Sequence, residues 1–280
     1  MNNINAVKMV RNIRDKQYEE TKWKTHEEIK KYYNKNSEWA FPLVSIIITC
    51  YNYEQYIGEC IESCLAQTYK PIEIIVVDDA STDNSALKIF SIYQFYENMT
   101  GIWLQENKGY SAAKNSGIER SRGEFLVFID ADDCLTPDSV ELRMAEFEKN
   151  PKLDLVHGIA LRWYGGHDLR HYNEKTYCHA QGRMYKKEFH KRFGLYYNMR
   201  SMSDKEWAYR IGIHPDSPLK KVVKEKKINK VVAWYRKHDE QMHKIRRLDP
   251  EYNAKIKKQF KKRIKQLKKE GVTKENTEWM

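Results

Sequence analysis

Apolar runs and helical stripes alternate along the first half of this chain. Leu43–Thr49 is a buried-strand run behind Pro42, placed where a missing N–H does least harm. Ile57, Cys60, Ile61, Cys64 and Leu65 recur at helical spacing and predict a helix from about Glu54 to Gln67. Ile72–Val77 predicts a second strand ending at Asp78-Asp79, and Asp83 or Ser81 is placed to cap a helix from about Asn84 to Tyr96. Gly101–Leu104 reads as a short third strand. Gly109 then opens a helix over Ser111–Arg120, which Gly123 stops. The aromatic and branched run at 124–129 predicts another strand, followed by a helix over Pro137–Lys149 and a fifth strand over Leu153–Leu161.

Strands that alternate with helices in this way predict an α/β fold with a mostly parallel central sheet and helices on both faces. Ligands of such sheets bind beyond the carboxyl ends of the strands. Three polar patches fall at such ends: Thr49-Cys50-Tyr51-Asn52, Asp78-Asp79 and Asp130-Ala131-Asp132-Asp133. The last is the most telling. Carboxylates closing a buried strand cost desolvation energy unless a cation neutralises them, and Mg²⁺ or Mn²⁺ carrying a diphosphate suits an oxygen cluster. A solvated acidic turn is the plainer alternative. After residue 162 the pattern loosens, and this half is expected to build the acceptor side. Residues 1–41 read as a polar helical extension with Trp23, Ile29, Tyr32 and Tyr33 available for packing.

Composition narrows the class. A hydrophobic fraction of 41% with 12% aromatics suits a globular protein. No apolar run reaches the length of about 18 residues that a spanning helix needs, and Met1–Glu38 has no signal-peptide apolar core. The five cysteines show no metal-site spacing, and Cys60 and Cys64 read as buried thiols. A cytoplasmic setting, at most peripheral to the inner face of a membrane, is expected. Charge is uneven: Lys220–Met280 holds 21 Lys and Arg against 8 Asp and Glu, a net of +13, while residues 1–219 hold 29 against 31. In that tail Ile256, Phe260, Ile264 and Leu267 form a narrow apolar stripe. Lys255, Lys257, Lys258, Lys261, Lys262, Arg263, Lys265, Lys268 and Lys269 surround it. The readings are a solvated helix docked by its stripe, an anionic membrane surface, or, ranked behind, nucleic-acid phosphates.

Four ordered segments carry a resemblance to the family 2 glycosyltransferases of GT-A fold. They are Val44–Asn52, Val76–Asp83, Asn107–Asn115 and the DxD-type Asp130–Asp133. Weaker matches lie at Asp204–Arg210, where Ser203 replaces an acid common in the family, and at Trp234–His238. The resemblance covers about residues 43–140. It implies a nucleotide-binding half at 42–140, an acceptor half at 141–240 and a basic tail at 241–280. It also implies a metal-dependent inverting transfer from a nucleotide sugar, expected to be UDP-linked, to a glycan, lipid-linked or other hydroxyl acceptor.

The residues suit that chemistry. Asp204 fits the general base for the acceptor hydroxyl. Asp132 is the expected ligand of Mn²⁺ or Mg²⁺, with Asp130 on the metal or the ribose and His238 on the metal or the diphosphate. Thr49, Tyr51, Asn52 and Ala131 belong to the nucleotide-binding strand ends. Asp78 and Asp79 suit a pyrimidine edge, or helix capping. Lys114 contacts the diphosphate, or is a solvated helix-face lysine. Glu206 either orients Asp204 or pairs with Arg210. A transfer to a modified nucleic-acid base and a non-catalytic nucleotide-sugar binding protein are the rival functions. A sugar nucleotidyltransferase is disfavoured, because no Gly-rich phosphate loop lies near residues 49–56.

Overall fold

The computed structural model describes residues 42–104, 106–163, 175–177, 182–197, 203–211, 214, 217, 223–239, 241 and 250–270. The expected 1–41 extension lies outside them. Four parallel strands form the first half of one sheet: β1 (Val44–Cys50), β2 (Ile72–Asp78), β3 (Met99–Trp103) and β4 (Phe125–Asp130), in the order β3-β2-β1-β4. The register sets Thr49 opposite Asp130 and Cys50 opposite Asp78, so the polar strand ends share one edge.

Helices α1 (Ile57–Leu65), α2 (Ser85–Tyr93), α3 (Tyr110–Arg120) and α4 (Ser139–Lys149) intervene. One face of the sheet packs Ile46, Ile48, Ile74, Val76, Val127 and Ile129 against α1, α2 and α4; Cys60 and Cys64 are buried there, as expected. The alternate residues Ile47, Ile75, Val77, Leu126 and Phe128 face α3 on the other side. Because successive side chains point to opposite faces and both faces are covered, these strands read as continuous apolar runs. Helix α3 lies close: a Cβ built on Gly117 would fall 2.4 Å from Ile47 Cγ2.

Beyond β4 the sheet becomes mixed, which the alternating pattern did not anticipate. The remaining strands are β5 (Cys134–Leu135), β6 (Leu155–Trp163), β7 (Lys175–Tyr177), β8 (Arg183–Lys186) and β9 (Glu225–Arg236). The order continues β4-β8-β6-β9-β5, with β7 on β6. β8 runs antiparallel to β4 and β6, β5 antiparallel to β9, and β9 parallel to β6. Helices α5 (Glu188–Phe193) and α6 (Ser203–Arg210) cover the second face, with Phe189, Phe193 and Trp207 entering its core.

The basic tail forms α7 (Pro250–Glu270), and it docks on α6. Ile256 and Leu267 are buried, as the stripe predicts. Arg263, read from the sequence as one of the solvated charges, is buried as well. Its Nε lies 3.2 Å from Glu206 Oε1, and its guanidinium stacks 4.2 Å over the Tyr197 ring. Glu206 also pairs with Arg210, Nε to Oε1 at 3.1 Å, one helical turn on. A fully buried carboxylate thus sits between two guanidiniums.

Removing Glu206 leaves two buried cations facing each other, whereas removing Arg263 leaves the Glu206–Arg210 pair intact. Glu206→Gln is expected to cost about 3–5 kcal/mol, and Arg263→Met about 1.5–3 kcal/mol. Urea unfolding of the two variants measures this, and equal losses would refute the shared-carboxylate account.

Candidate active site

The carboxyl edge of the sheet is shaped by two loops stitched together. After β1, Asn52 adopts a left-handed backbone (φ 56), and after β2 Ala80 does the same (φ 58). The Asn52 N–H donates to Ser81 Oγ (2.9 Å), and Thr82 N–H donates to Asn52 Oδ1 (2.7 Å). Asp78 accepts from the Ser81 N–H (3.0 Å) and hydroxyl. Asp79 accepts from the N–H groups of Lys108 (2.9 Å) and Gly109 (2.8 Å), which fixes the entry to α3. Burial pushes the Asp79 carboxyl above its usual range, with Asp78 adding to the rise. Asp78 therefore orders its own loop and Asp79 the entry to α3, which is the capping alternative in a broader form. Asp83 caps from one residue further out, accepting from Ser85 N–H at 2.9 Å.

The acidic cluster follows β4. Oxygens of Asp130, Asp132 and Asp133 lie within 4.8 Å of one another. Tyr110 Oη donates to Asp130 Oδ1 (2.8 Å), and Thr49 Oγ1 reaches the same oxygen at 3.4 Å. Burial raises the Asp130 carboxyl to about 6; Lys114 works against this and the neighbouring aspartates add to it. Asp133 is wholly buried and is held well above the ordinary carboxylate range by burial and by Asp132 and Asp130. Ala131 puts its methyl in the core and its N–H on the Thr49 carbonyl (3.1 Å). Tyr51 is half-buried and Asn52 exposed beside these groups.

The end of β9 closes over the cluster. Arg236 gives its backbone N–H to Asp133 Oδ1 (2.9 Å) and its Nε–H to the Asp132 carbonyl (2.8 Å). Its guanidinium also pairs with Glu59 of α1 and lies 4.9 Å from the Tyr56 ring centre. His238 Nε2 is 3.1 Å from Asp132 Oδ2, and its ring packs at 4.6 Å against Tyr56. The cluster offers what a hard divalent ion takes: carboxylate oxygens close together, with one of them, Asp133 Oδ2, buried and without a hydrogen-bond partner. Asp130, Asp132 and Asp133 fit such an ion, with His238 in contact with Asp132.

Asp204 stands in the first turn of α6, its side chain 39% exposed, with Oδ1 2.8 Å from Lys114 Nζ. Lys114 is fully buried, so the solvated helix-face reading is overturned. Glu206 does not orient Asp204. It is committed to Arg210 and Arg263, and its burial between them rules it out as a substitute base. Arg236, Tyr110 and Arg263 are the groups the sequence did not single out. Arg236 and Tyr110 lie inside quoted motifs, whereas Arg263 was hidden among the tail lysines.

The family described as Glycosyl transferase family 2 matches residues 45–217. The glycosyltransferase GlyG of Streptococcus pneumoniae is 43% identical over 100 residues, covering 35% of this chain and 33% of that protein. The chain spans under half the length of the curated relatives it matches. Among solved structures, Staphylococcus aureus TarS 1–349 in complex with UDP-GlcNAc superposes with a TM-score of 0.57 at 20% identity, covering 70% of this chain and 58% of that one. The mannosyltransferase PcManGT of Pyrobaculum calidifontis, in complex with GDP-Man and Mn²⁺, gives 0.62 at 18% identity, covering 86% and 72%. These likenesses establish the GT-A fold. With the family match running from β1 to just past α6, over both the acidic cluster and Asp204, this chain belongs to glycosyl transferase family 2.

Proposed function

We propose that this chain transfers a sugar from a nucleoside-diphosphate donor, UDP-linked, to a hydroxyl acceptor with inversion at the anomeric carbon. One observation carries the reading. Asp204 Oδ1 meets Lys114 Nζ, Lys114 Nζ lies over the Tyr110 ring at 4.1 Å, and the Tyr110 hydroxyl bonds Asp130. An exposed carboxylate able to take a proton is thereby joined to the acidic strand end that suits a metal-borne diphosphate. The nucleotide sugars named for TarS and PcManGT, and the Mn²⁺ named for the latter, agree with that donor class.

Asp132, with Asp130 and His238 beside it, would hold Mn²⁺ or Mg²⁺, which neutralises charge on a departing diphosphate. Thr49, Tyr51 and Asn52 would serve the nucleotide end, Ala131 holding that strand end through its N–H on the Thr49 carbonyl, and Asp78 and Asp79 would shape the loops that meet a pyrimidine edge. Asp204 takes the proton of the acceptor hydroxyl as its oxygen forms the new bond to the anomeric carbon. The old carbon–oxygen bond breaks on the opposite side, and its electron pair leaves with the nucleoside diphosphate. On this reading residues 42–140 serve the donor, and 141–240, braced by α7, serve the acceptor.

The outer face of α7 suggests where the acceptor resides. Lys255, Lys257, Lys258, Lys261, Lys262, Lys265, Lys268 and Lys269 are all exposed, while the apolar stripe is turned inward or half-covered. Such a face would meet an anionic membrane by charge alone, each lysine adding about 1 kcal/mol near the surface. No helix among the described residues is long and apolar enough to cross a membrane.

UDP with Mn²⁺ should raise the melting temperature, because a ligand of the folded state alone stabilises it by mass action. Asp132→Ala should remove the metal-dependent part of that shift, and binding indifferent to both EDTA and the substitution would end the metal assignment. Asp204→Asn keeps the shape and loses the proton acceptor, so kcat should fall by about 10²–10⁴-fold with donor affinity unchanged. Near-normal turnover in steady-state assays would place the base elsewhere. Full-length protein should sediment with phosphatidylserine vesicles and be released as salt rises, since exposed charges are screened over about 10 Å at 0.1 M. Binding that survives high salt, or none at low salt, would dismiss the membrane role of α7.

A further inference from the structure

Lys114 was expected at the diphosphate, yet its surroundings tie it to the acceptor side. Its ammonium is fully buried and makes its hydrogen bond to Asp204 Oδ1 at 2.8 Å. Three rings enclose it: Tyr110 at 4.1 Å, Tyr196 at 4.7 Å and Phe128 at 5.2 Å from Nζ to ring centre. Aromatic faces at such distances attract a cation and take the place of its water. A diphosphate oxygen reaching Nζ would have to displace one of these rings or Asp204.

The cage is itself held in place. The Tyr110 hydroxyl is anchored on Asp130. Tyr196 is clamped at its backbone by Asn115, the residue after Lys114, with Nδ2–H to the carbonyl and N–H to Oδ1, both at 2.9 Å. The Tyr196 ring stacks on Trp207 of α6, with centroids 5.1 Å apart and planes 22° from parallel. Tyr196 therefore links the helix that carries Lys114 to the helix that carries Asp204. An ammonium fixed by rings and backbone clamps is a rigid donor, whereas Asp204 is a 39% exposed side chain at a helix start.

We propose that Lys114 is a positioning residue for Asp204: its caged ammonium holds Oδ1, fixing the carboxylate so that Oδ2 receives the acceptor proton. Among the described residues Oδ2 has no protein partner. The acceptor proton moves to Oδ2, and the ammonium balances the charge of the carboxylate before the transfer. The inference rests on the reading of Asp204 as the base.

The test uses the full chain as K114M, K114Q, D204N and K114M/D204N. Thermal unfolding comes first and needs no turnover. The melting-temperature losses of K114M and D204N should be non-additive, because each breaks the same pair. Calorimetric titration with UDP and Mn²⁺ should give unchanged affinity for K114M. Hydrolysis of UDP-GlcNAc, with water as acceptor, should fall about 10²-fold in kcat, the cost of a misplaced group, with KM hardly moved. K114Q, which still donates a hydrogen bond, should recover part of that loss, and the double variant should be no slower than D204N.

Additive melting losses would overturn the proposal. So would weakened UDP–Mn²⁺ binding by K114M with kcat intact, which would return Lys114 to the diphosphate. Full hydrolysis by D204N would remove the base, and the proposal with it. If D204N is inactive but K114M turns over normally, only the role of Lys114 fails. If the unaltered protein does not hydrolyse UDP-GlcNAc, the melting and titration results decide.

Discussion

Carboxylates crowded on one sheet edge repel one another and lose water as they are buried, and the rest of this structure answers that problem. Asp130, Asp132 and Asp133 lie within 4.8 Å, and Asp204 approaches from the other side through Lys114. The protein supplies fixed positive groups from distant parts of the chain: Lys114 from α3, Arg236 from the end of β9, and backbone N–H groups at each loop. The compensation is incomplete. Asp133 Oδ2 stays buried without a partner, and the Asp130 carboxyl is pushed up to about 6. A buried acceptor left without a partner costs free energy, so this edge of the sheet carries a strain that the fold itself does not relieve.

The same logic governs the tail. Its charge excess is large enough to suggest an appendage, yet one of its cations is spent inside the molecule. Arg263 shares Glu206 with Arg210, and Arg210 in turn donates to the carbonyls of Phe193 and Leu195. Helix α6 is thus gripped on one side by the turn after α5 and on the other by α7. Asp204 lies two residues from Glu206 on that short helix, so whatever fixes the helix places the Asp204 backbone, while Lys114 holds its carboxylate. With the apolar stripe engaged in docking, the exposed lysines can act only through charge.

The parallel half of the sheet was legible because its constraints are local. Strands covered on both faces must be apolar throughout, and β1, β2 and β4 were readable for that reason. Their polar ends follow at once in sequence, so Thr49, Asp78 and Asp130 could be placed on a common edge before any contact was known. The first half of β9 shows the opposite case. Glu225–Lys230 is nearly all exposed and charged, so neither alternation nor an apolar run marks it. Its register with β6 even shifts along the pairing. Long-range ion pairs leave still less trace: Lys114 and Asp204 are 90 positions apart, and Glu206 and Arg263 are 57 apart. Nothing in a local window distinguishes a buried Arg263 from the lysines around it.

The carboxyl edge of the parallel strands is built from backbone hydrogen bonds and short loops, such as the Asn52–Thr82 stitch and the Asp79 clasp on Lys108 and Gly109. Those contacts depend on residues that must stay close to what they are, because a left-handed turn at Asn52 tolerates few replacements. The part of the fold beyond β4 hangs on a few ion pairs and an aromatic cluster around Tyr196 and Trp207. The two halves of the sheet are thus held by different means, and the caged ammonium of Lys114 is the joint at which they meet through Asp204.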